Sequence, residues 1–212
     1  MVQIQSFTFN PFSENTYILH DESKSCVIID PGCYDDAERH ELSQFIESNG
    51  LVPTHLLNTH CHIDHVFGNK FISEKYKLGL EINAFDLEVL NSLMQVARLY
   101  NLNAEASPLP SSYLEEGHQI LFGNSILDIV FAPGHSPGSI CFINYDQKFA
   151  IAGDVLFREG IGRSDLPGGD SDTLIRSIKT KLFTLGDDFK VYSGHGPVTT
   201  IGHEKKNNPF LS

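Results

Sequence analysis

Apolar residues at the start of the chain come in short runs with polar breaks. Val2, Ile4, Phe7 and Phe9 alternate loosely with polar neighbours, and residues 16–19 and 26–30 are nearly unbroken apolar stretches. Alternation marks a half-buried strand, and a short apolar run marks a strand buried on both faces. Turn clusters at Asn10-Pro11, residues 21–24 and Pro31-Gly32 separate them. The period then lengthens. Residues 35–49 begin with acids, place Leu42, Phe45 and Ile46 on one face and stop at Gly50, which predicts a helix. Residues 54–59 predict a strand, 65–76 a helix and 78–82 a strand. Leu87, Leu90, Leu93, Met94 and Ala97 recur at helical spacing and predict a helix over 86–102. Residues 103–112, with two prolines, read as irregular. Strands follow over 119–131 and 139–151, a helix over 172–185 and a strand over 190–193, with a short helix or loop over 202–211. The order predicts an α/β fold: two β–α halves with stacked sheets and outer helices, in one domain spanning 1–212.

Composition narrows the function. The formal charge is −12, from 27 acidic and 15 basic residues. Such a chain is a poor ligand for nucleic acid or for an anionic membrane. No stretch approaches the roughly 18 apolar residues of a membrane span, and the N-terminus lacks the basic and apolar regions of a signal peptide. The four cysteines are scattered, with no CxxC pair, which fits reduced thiols and a cytoplasmic location. Ten histidines direct attention to metal binding or to acid–base chemistry near neutral pH.

Five of those histidines lie at strand ends. His60, His62, Asp64 and His65 fall within THCHIDH, residues 59–65, directly after the strand predicted over 54–59. Residues i and i+2 of an extended chain point the same way, so His60 and His62 project together, and Asp64 and His65 follow on the entry to a helix. Cys61, between two of them, points away as a packing residue. His135 sits in APGHSPG, Asp154 in AGD and His195 in SGHGP, each just past a strand. Glycine lets the backbone turn sharply there. Five histidines and two aspartates suit two divalent ions that share one carboxylate and leave room for water.

With THCHIDH and these later residues the sequence resembles the metallo-β-lactamase superfamily. The resemblance implies an αβ/βα four-layer sandwich of two mixed sheets with outer helices. It implies His60, His62 and His135 on one metal, and Asp64, His65 and His195 on a second. Asp154 then bridges the two. True β-lactamases typically carry a cysteine where Asp154 stands, which disfavours antibiotic hydrolysis. GIGRSDLPGGD (160–170) and GHGPVTTIGHEKKNNP (194–209) are similar to short bacterial glyoxalase II-like hydrolases, which act on thioesters such as S-lactoylglutathione. The resemblance therefore implies a small anionic thioester as substrate, with Asp64 and Asp154 serving catalysis at the metals. Zinc is the default metal, with iron or manganese compatible with imidazole and carboxylate donors.

Arg158 and Arg163 are candidates for the substrate's negative charge, although Arg163 equally suits an ion pair with Asp165. Lys205 and Lys206 read as solvated charges. The stripe over residues 86–102 reads as a packing face, and its position before residues 103–112 allows a lid over the site; the role of residues 84–112 stays open. Four other activities compete. A persulfide dioxygenase of the same family would hold one iron with His60, His135 and Asp154, but His195-Gly196-Pro197 looks like the hydrolases. A nuclease shares the ligand set, and the acidic charge with no basic arm opposes it. A lactonase is a further ester class. A binding module is disfavoured by seven intact candidate ligands.

Overall fold

The computed structural model describes residues 1–211. Two six-stranded sheets form its middle. The first holds β1 (Gln3–Phe9), β2 (Glu14–His20), β3 (Ser25–Ile29), β4 (Val52–Leu57), β5 (Leu80–Ile82) and β6 (Pro110–Tyr113), side by side in chain order. The second begins with β7 (Gln119–Phe122), β8 (Ser125–Phe131), β9 (Ile140–Asn144) and β10 (Phe149–Gly153). A small ribbon of β11 (Leu156–Phe157) and β12 (Gly160–Ile161) then leaves it. β13 (Lys190–Ser193) pairs parallel to β10, and β14 (Thr199–Thr200) closes that edge. Both sheets are mixed, the first being antiparallel up to β3 and parallel from β3 to β6.

Strand alternation sorts the core into three layers. Tyr17, Leu19, Val27 and Ile29 of the first sheet meet Ile120, Phe122, Phe142 and Ile151 of the second. Their neighbours Ile18, Cys26 and Ile28 face the opposite way, onto Leu42, Ile46, Ile72 and Leu93 of helices. Likewise Cys141, Ile143, Ala150 and Ala152 face Leu174, Ile178 and Leu182. Period two thus sends successive side chains to different layers, and the fold is the four-layer αβ/βα sandwich expected.

The helices differ from the expected spans in detail. α1 (Asp36–Ser48) is capped by Asp35, whose carboxylate accepts from the Ala37 and Glu38 N–H groups. The stretch 65–76 is two helices, α2 (Ile63–Val66) and α3 (Asn69–Tyr76), because the chain kinks so that the Gly68 N–H reaches the Pro31 carbonyl at 2.7 Å. The stretch 86–102 is also divided. A 3₁₀ turn (Ala84–Asp86) leads into α4 (Leu87–Asn91) and α5 (Leu93–Leu99), and the break falls at Ser92, whose hydroxyl turns back to the Val89 carbonyl. β6 begins inside the stretch read as irregular and ends one residue beyond it; it is an edge strand, where its opening proline is tolerated. α6 (Ser171–Ser177) continues into a π-turn over Ile178–Leu182, and α7 (Ile201–Asn207) packs beside β14. β11, β12 and β14 have two residues each, too few to show a period. No helix among the described residues is long and apolar enough to cross a membrane.

Candidate metal centre

All seven candidate ligands converge at one edge of the sandwich, where strands of both sheets end. His60, His62, Asp64 and His65 follow β4 and enter α2, while His135 follows β8, Asp154 follows β10 and His195 follows β13. The two sheets meet here through backbone bonds: the Ile140 N–H donates to the Thr59 carbonyl at 2.9 Å, and the Asn15 N–H to the Gly194 carbonyl at 2.7 Å. Gly194 is required by close approach, since a Cβ there would lie 2.1 Å from Asp154 Oδ1.

The side chains form two sets. His135 Nε2 lies 2.8 Å from His62 Nδ1 and 3.1 Å from His60 Nε2. Asp64 Oδ2 lies 3.1 Å from His195 Nε2 and 3.7 Å from His65 Nε2. Asp154 stands between them: Oδ1 is 3.4 Å from His65 Nε2, and Oδ2 is 3.5 Å from both His135 Nε2 and His195 Nε2. His60, His65 and His135 are buried, whereas His62 and His195 are half-buried.

Hydrogen bonds at the far side of two of the rings fix which nitrogen faces inward. His135 Nδ1 donates to the Arg163 carbonyl at 2.7 Å, so its Nε2 carries a lone pair. The Thr59 hydroxyl donates to Asp30 and so accepts from His60 Nδ1, leaving His60 Nε2 with a lone pair as well. Two such nitrogens 3.1 Å apart repel unless a cation lies between them. Inside the same cluster, His65 Nε2 and Asp154 Oδ1 are buried with no hydrogen-bond partner. Convergent lone pairs and orphaned polar atoms are what a metal site requires.

Electrostatics separate the two sets. Burial, reinforced by the neighbouring imidazoles, holds His60 well below its ordinary pKa. Burial and His135 push His62 down to about 3. Both are neutral at pH 7 and able to bind a cation. Burial opposes charge on His65 too, but the Asp154 and Asp64 carboxylates outweigh it and raise that ring well above the usual range. Burial also opposes ionisation of Asp154, yet His65 and then His135 hold its carboxyl below the usual carboxylate range. Cys61 packs in the helix-facing core, and burial pushes its thiol far up, so it offers neither thiolate ligand nor nucleophile.

Three buried carboxylates escaped the sequence reading. Asp30, at the end of β3, accepts from the Thr59 N–H and hydroxyl and lies 3.1 Å from His65 Nδ1. Glu14, fully buried at the start of β2, lies 3.9 Å from the same nitrogen. Asp86 binds the backbone of the two loops that carry His60, His62 and His135. The one signal was position: Asp30 closes a strand, in the place where His60 follows β4.

The candidate substrate arginines lie outside this cluster. The Arg163 guanidinium is exposed and held by Asp165 through two 2.8 Å bonds, while its carbonyl supports His135. Arg158 is exposed and makes no hydrogen bond or ion pair among the described residues. Lys205 pairs with Asp187 at 2.7 Å, as a surface charge.

The chain is similar to known proteins over nearly its whole length. The family described as the metallo-beta-lactamase superfamily matches residues 9–195. The chain is 41% identical to "Hydroxyacylglutathione hydrolase GloC" of Haemophilus influenzae, covering 100% of this chain and 99% of the relative. It is 37% identical to "Probable metallo-hydrolase YqgX" of Bacillus subtilis, covering 95% and 94%. Among solved structures, BLEG-1 B3 metallo-beta-lactamase superimposes with a TM-score of 0.91 at 31% identity, covering 99% and 100%. TTHA1623 in a di-iron-bound form superimposes with a TM-score of 0.88 at 37% identity, covering 98% and 100%.

Proposed function

Because the chain belongs to the metallo-beta-lactamase superfamily, we propose that it hydrolyses hydroxyacyl thioesters of the S-lactoylglutathione kind. In this reading His60, His62 and His135 hold one divalent ion, Asp64, His65 and His195 hold a second, and Asp154 serves both. The observation that carries it is the position of Asp154, one carboxylate within 3.5 Å of histidines from both sets. The similarity over the whole chain to a hydroxyacylglutathione hydrolase supports the substrate class.

Two divalent ions, when bound, supply a water acidified from a pKa of 15.7 toward about 7, and a Lewis acid for the carbonyl oxygen. The imidazoles and carboxylates suit zinc, iron or manganese; zinc is our choice. Asp64 and Asp154, ionised in this cluster, would neutralise part of that charge. Hydrolysis then adds oxygen to the acyl carbon, breaks the carbon–sulfur bond and releases a thiolate. A thiol pKa near 8.5 makes the thiolate a good leaving group, so no strong acid is required from the chain. Arg158, whose guanidinium is exposed and free of an ion pair, is our choice of the two arginines for an anionic substrate. Four buried, free cysteines support a reducing, cytoplasmic setting.

The test joins metal analysis of the purified protein to a panel of S-lactoylglutathione, a coenzyme A thioester, a lactone, a β-lactam and glutathione persulfide. Turnover of a thioester with two metals per chain is expected. Oxygen uptake with the persulfide, or turnover of the lactone or β-lactam alone, would overturn the assignment.

A further inference from the structure

We propose that Asp86 is a positioning residue that assembles the three-histidine half of the centre. Asp86 ends the 3₁₀ turn before α4, is fully buried, and makes no hydrogen bond or ion pair with any of the seven candidate ligand side chains. Each oxygen of its carboxylate takes a different loop. Oδ2 accepts the Cys61 N–H at 2.6 Å, at the residue between His60 and His62. Oδ1 accepts the Gly138 N–H at 2.5 Å and the Ser136 hydroxyl, in the loop that carries His135. One side chain thus ties together, from behind, the two loops that present His60, His62 and His135.

Its surroundings are built for this role. The Asn83 side chain accepts the Phe85 N–H and donates to the Leu114 carbonyl at 2.8 Å, which anchors the turn at the end of β5. A Cβ at Gly138 would lie 2.6 Å from the Asp86 nitrogen and 2.7 Å from Oδ1, so only glycine allows the loop to approach. The other half of the centre has separate supports: His65 Nδ1 faces Asp30, and His195 Nδ1 faces the Ser13 carbonyl. Loss of Asp86 therefore loosens one set of ligands and leaves the other in place. Residues 84–112 gain a role beyond packing, because their first turn positions the centre.

This inference rests on the two-metal reading, and its test separates the two. Wild-type, Asp86→Ala and Ser136→Ala chains are loaded with zinc, and zinc affinity and zinc per chain are measured by chelator competition. Partners outside a metal's ligands typically contribute about 10- to 100-fold in affinity. Asp86→Ala should weaken one of two zinc ions by that factor and leave the other unchanged. Adding His62→Ala to Asp86→Ala should then weaken that same ion further and leave the other unchanged, whereas adding Asp64→Ala should weaken the other ion. Ser136→Ala, which leaves both backbone bonds to Asp86, should shift the same ion by a smaller factor and decides the matter if Asp86→Ala does not fold. Equal weakening of both ions, or no change in either variant, overturns the role of Asp86. A wild-type chain that binds fewer than two zinc ions overturns the metal reading beneath it.

Discussion

Replacing Asp30 with alanine should destabilise the chain even when no metal is present. Asp30 is 1% exposed, and its carboxylate accepts the Thr59 N–H at 2.7 Å, the Thr59 hydroxyl at 2.6 Å and a bond from His65 Nδ1 at 3.1 Å. Alanine leaves these three donors in a dry pocket. An orphaned buried donor costs about 1–3 kcal/mol. Asp30 also has φ +50°, a conformation that costs alanine roughly 1 kcal/mol more. The Thr59 hydroxyl can rotate to another acceptor, which returns part of the loss. The net is about 3–5 kcal/mol, the usual cost of breaking a buried polar pair. For a domain of this size that lowers Tm by roughly 6–20 °C. The assay is urea unfolding followed by circular dichroism at pH 7 in excess chelator, so that metal binding adds nothing to either chain. With metal restored, affinity should fall by about 10- to 100-fold as His65 loses its anchor. A loss below about 1 kcal/mol in chelator would refute the claim that Asp30 holds Thr59 and His65 in place.

Three further outcomes are expected. Asp154→Ala removes the carboxylate between the two sets, so zinc affinity and thioester hydrolysis should fall together, by more than the roughly 10–100-fold typical of outer partners; full metal content with normal turnover contradicts the assignment. Cys61→Ala should leave turnover unchanged and cost about 1 kcal/mol of stability, and iodoacetamide should not inactivate the folded wild type; inactivation would reopen a nucleophilic role. Far from the centre, burial opposes ionisation of Asp21, but bonds from Ser23, Asn124 and Ser125 lower its pKa to about 2. A carboxyl depressed by folding stabilises above its unfolded pKa near 3.9, and that contribution is lost as pH falls through about 2. Asp21→Asn should therefore cost about 2 kcal/mol at pH 7, a difference that closes toward pH 2 in unfolding curves; a gap independent of pH removes the charge from the explanation.

The layered fold was legible because each layer writes its own period. Tyr17 and Leu19 face one way and Ile18 the other, and Leu174, Ile178 and Leu182 repeat at helical spacing. The candidate ligands were legible because histidine and aspartate beside glycine, at strand ends, are unusual enough to stand out. Asp30, Glu14 and Asp86 were not. An aspartate in a turn usually caps its own backbone, and no local pattern separates that use from a long-range bond. Asp86 bonds Cys61 and Gly138 across 25 and 52 positions of chain, and only the folded topology brings them together. The breaks at Gly68 and Ser92 were hidden for the same reason, since each answers to a tertiary contact or a side-chain bond rather than to periodicity.

The seven candidate ligands are drawn from both sheets. His60, His62, Asp64 and His65 follow a strand of the first, and His135, Asp154 and His195 follow strands of the second. Any ion held by His60, His62 and His135, or by Asp64, His65 and His195, is therefore a clasp across the seam of the sandwich, closing loops of the chain as a disulfide would. An ion at one hundred times its dissociation constant adds about 2.7 kcal/mol to the folded state, a large share of what a domain usually has. A chain deprived of such ions would lose that clasp at the edge where the candidate ligands meet, and its folded state would be the weaker for it.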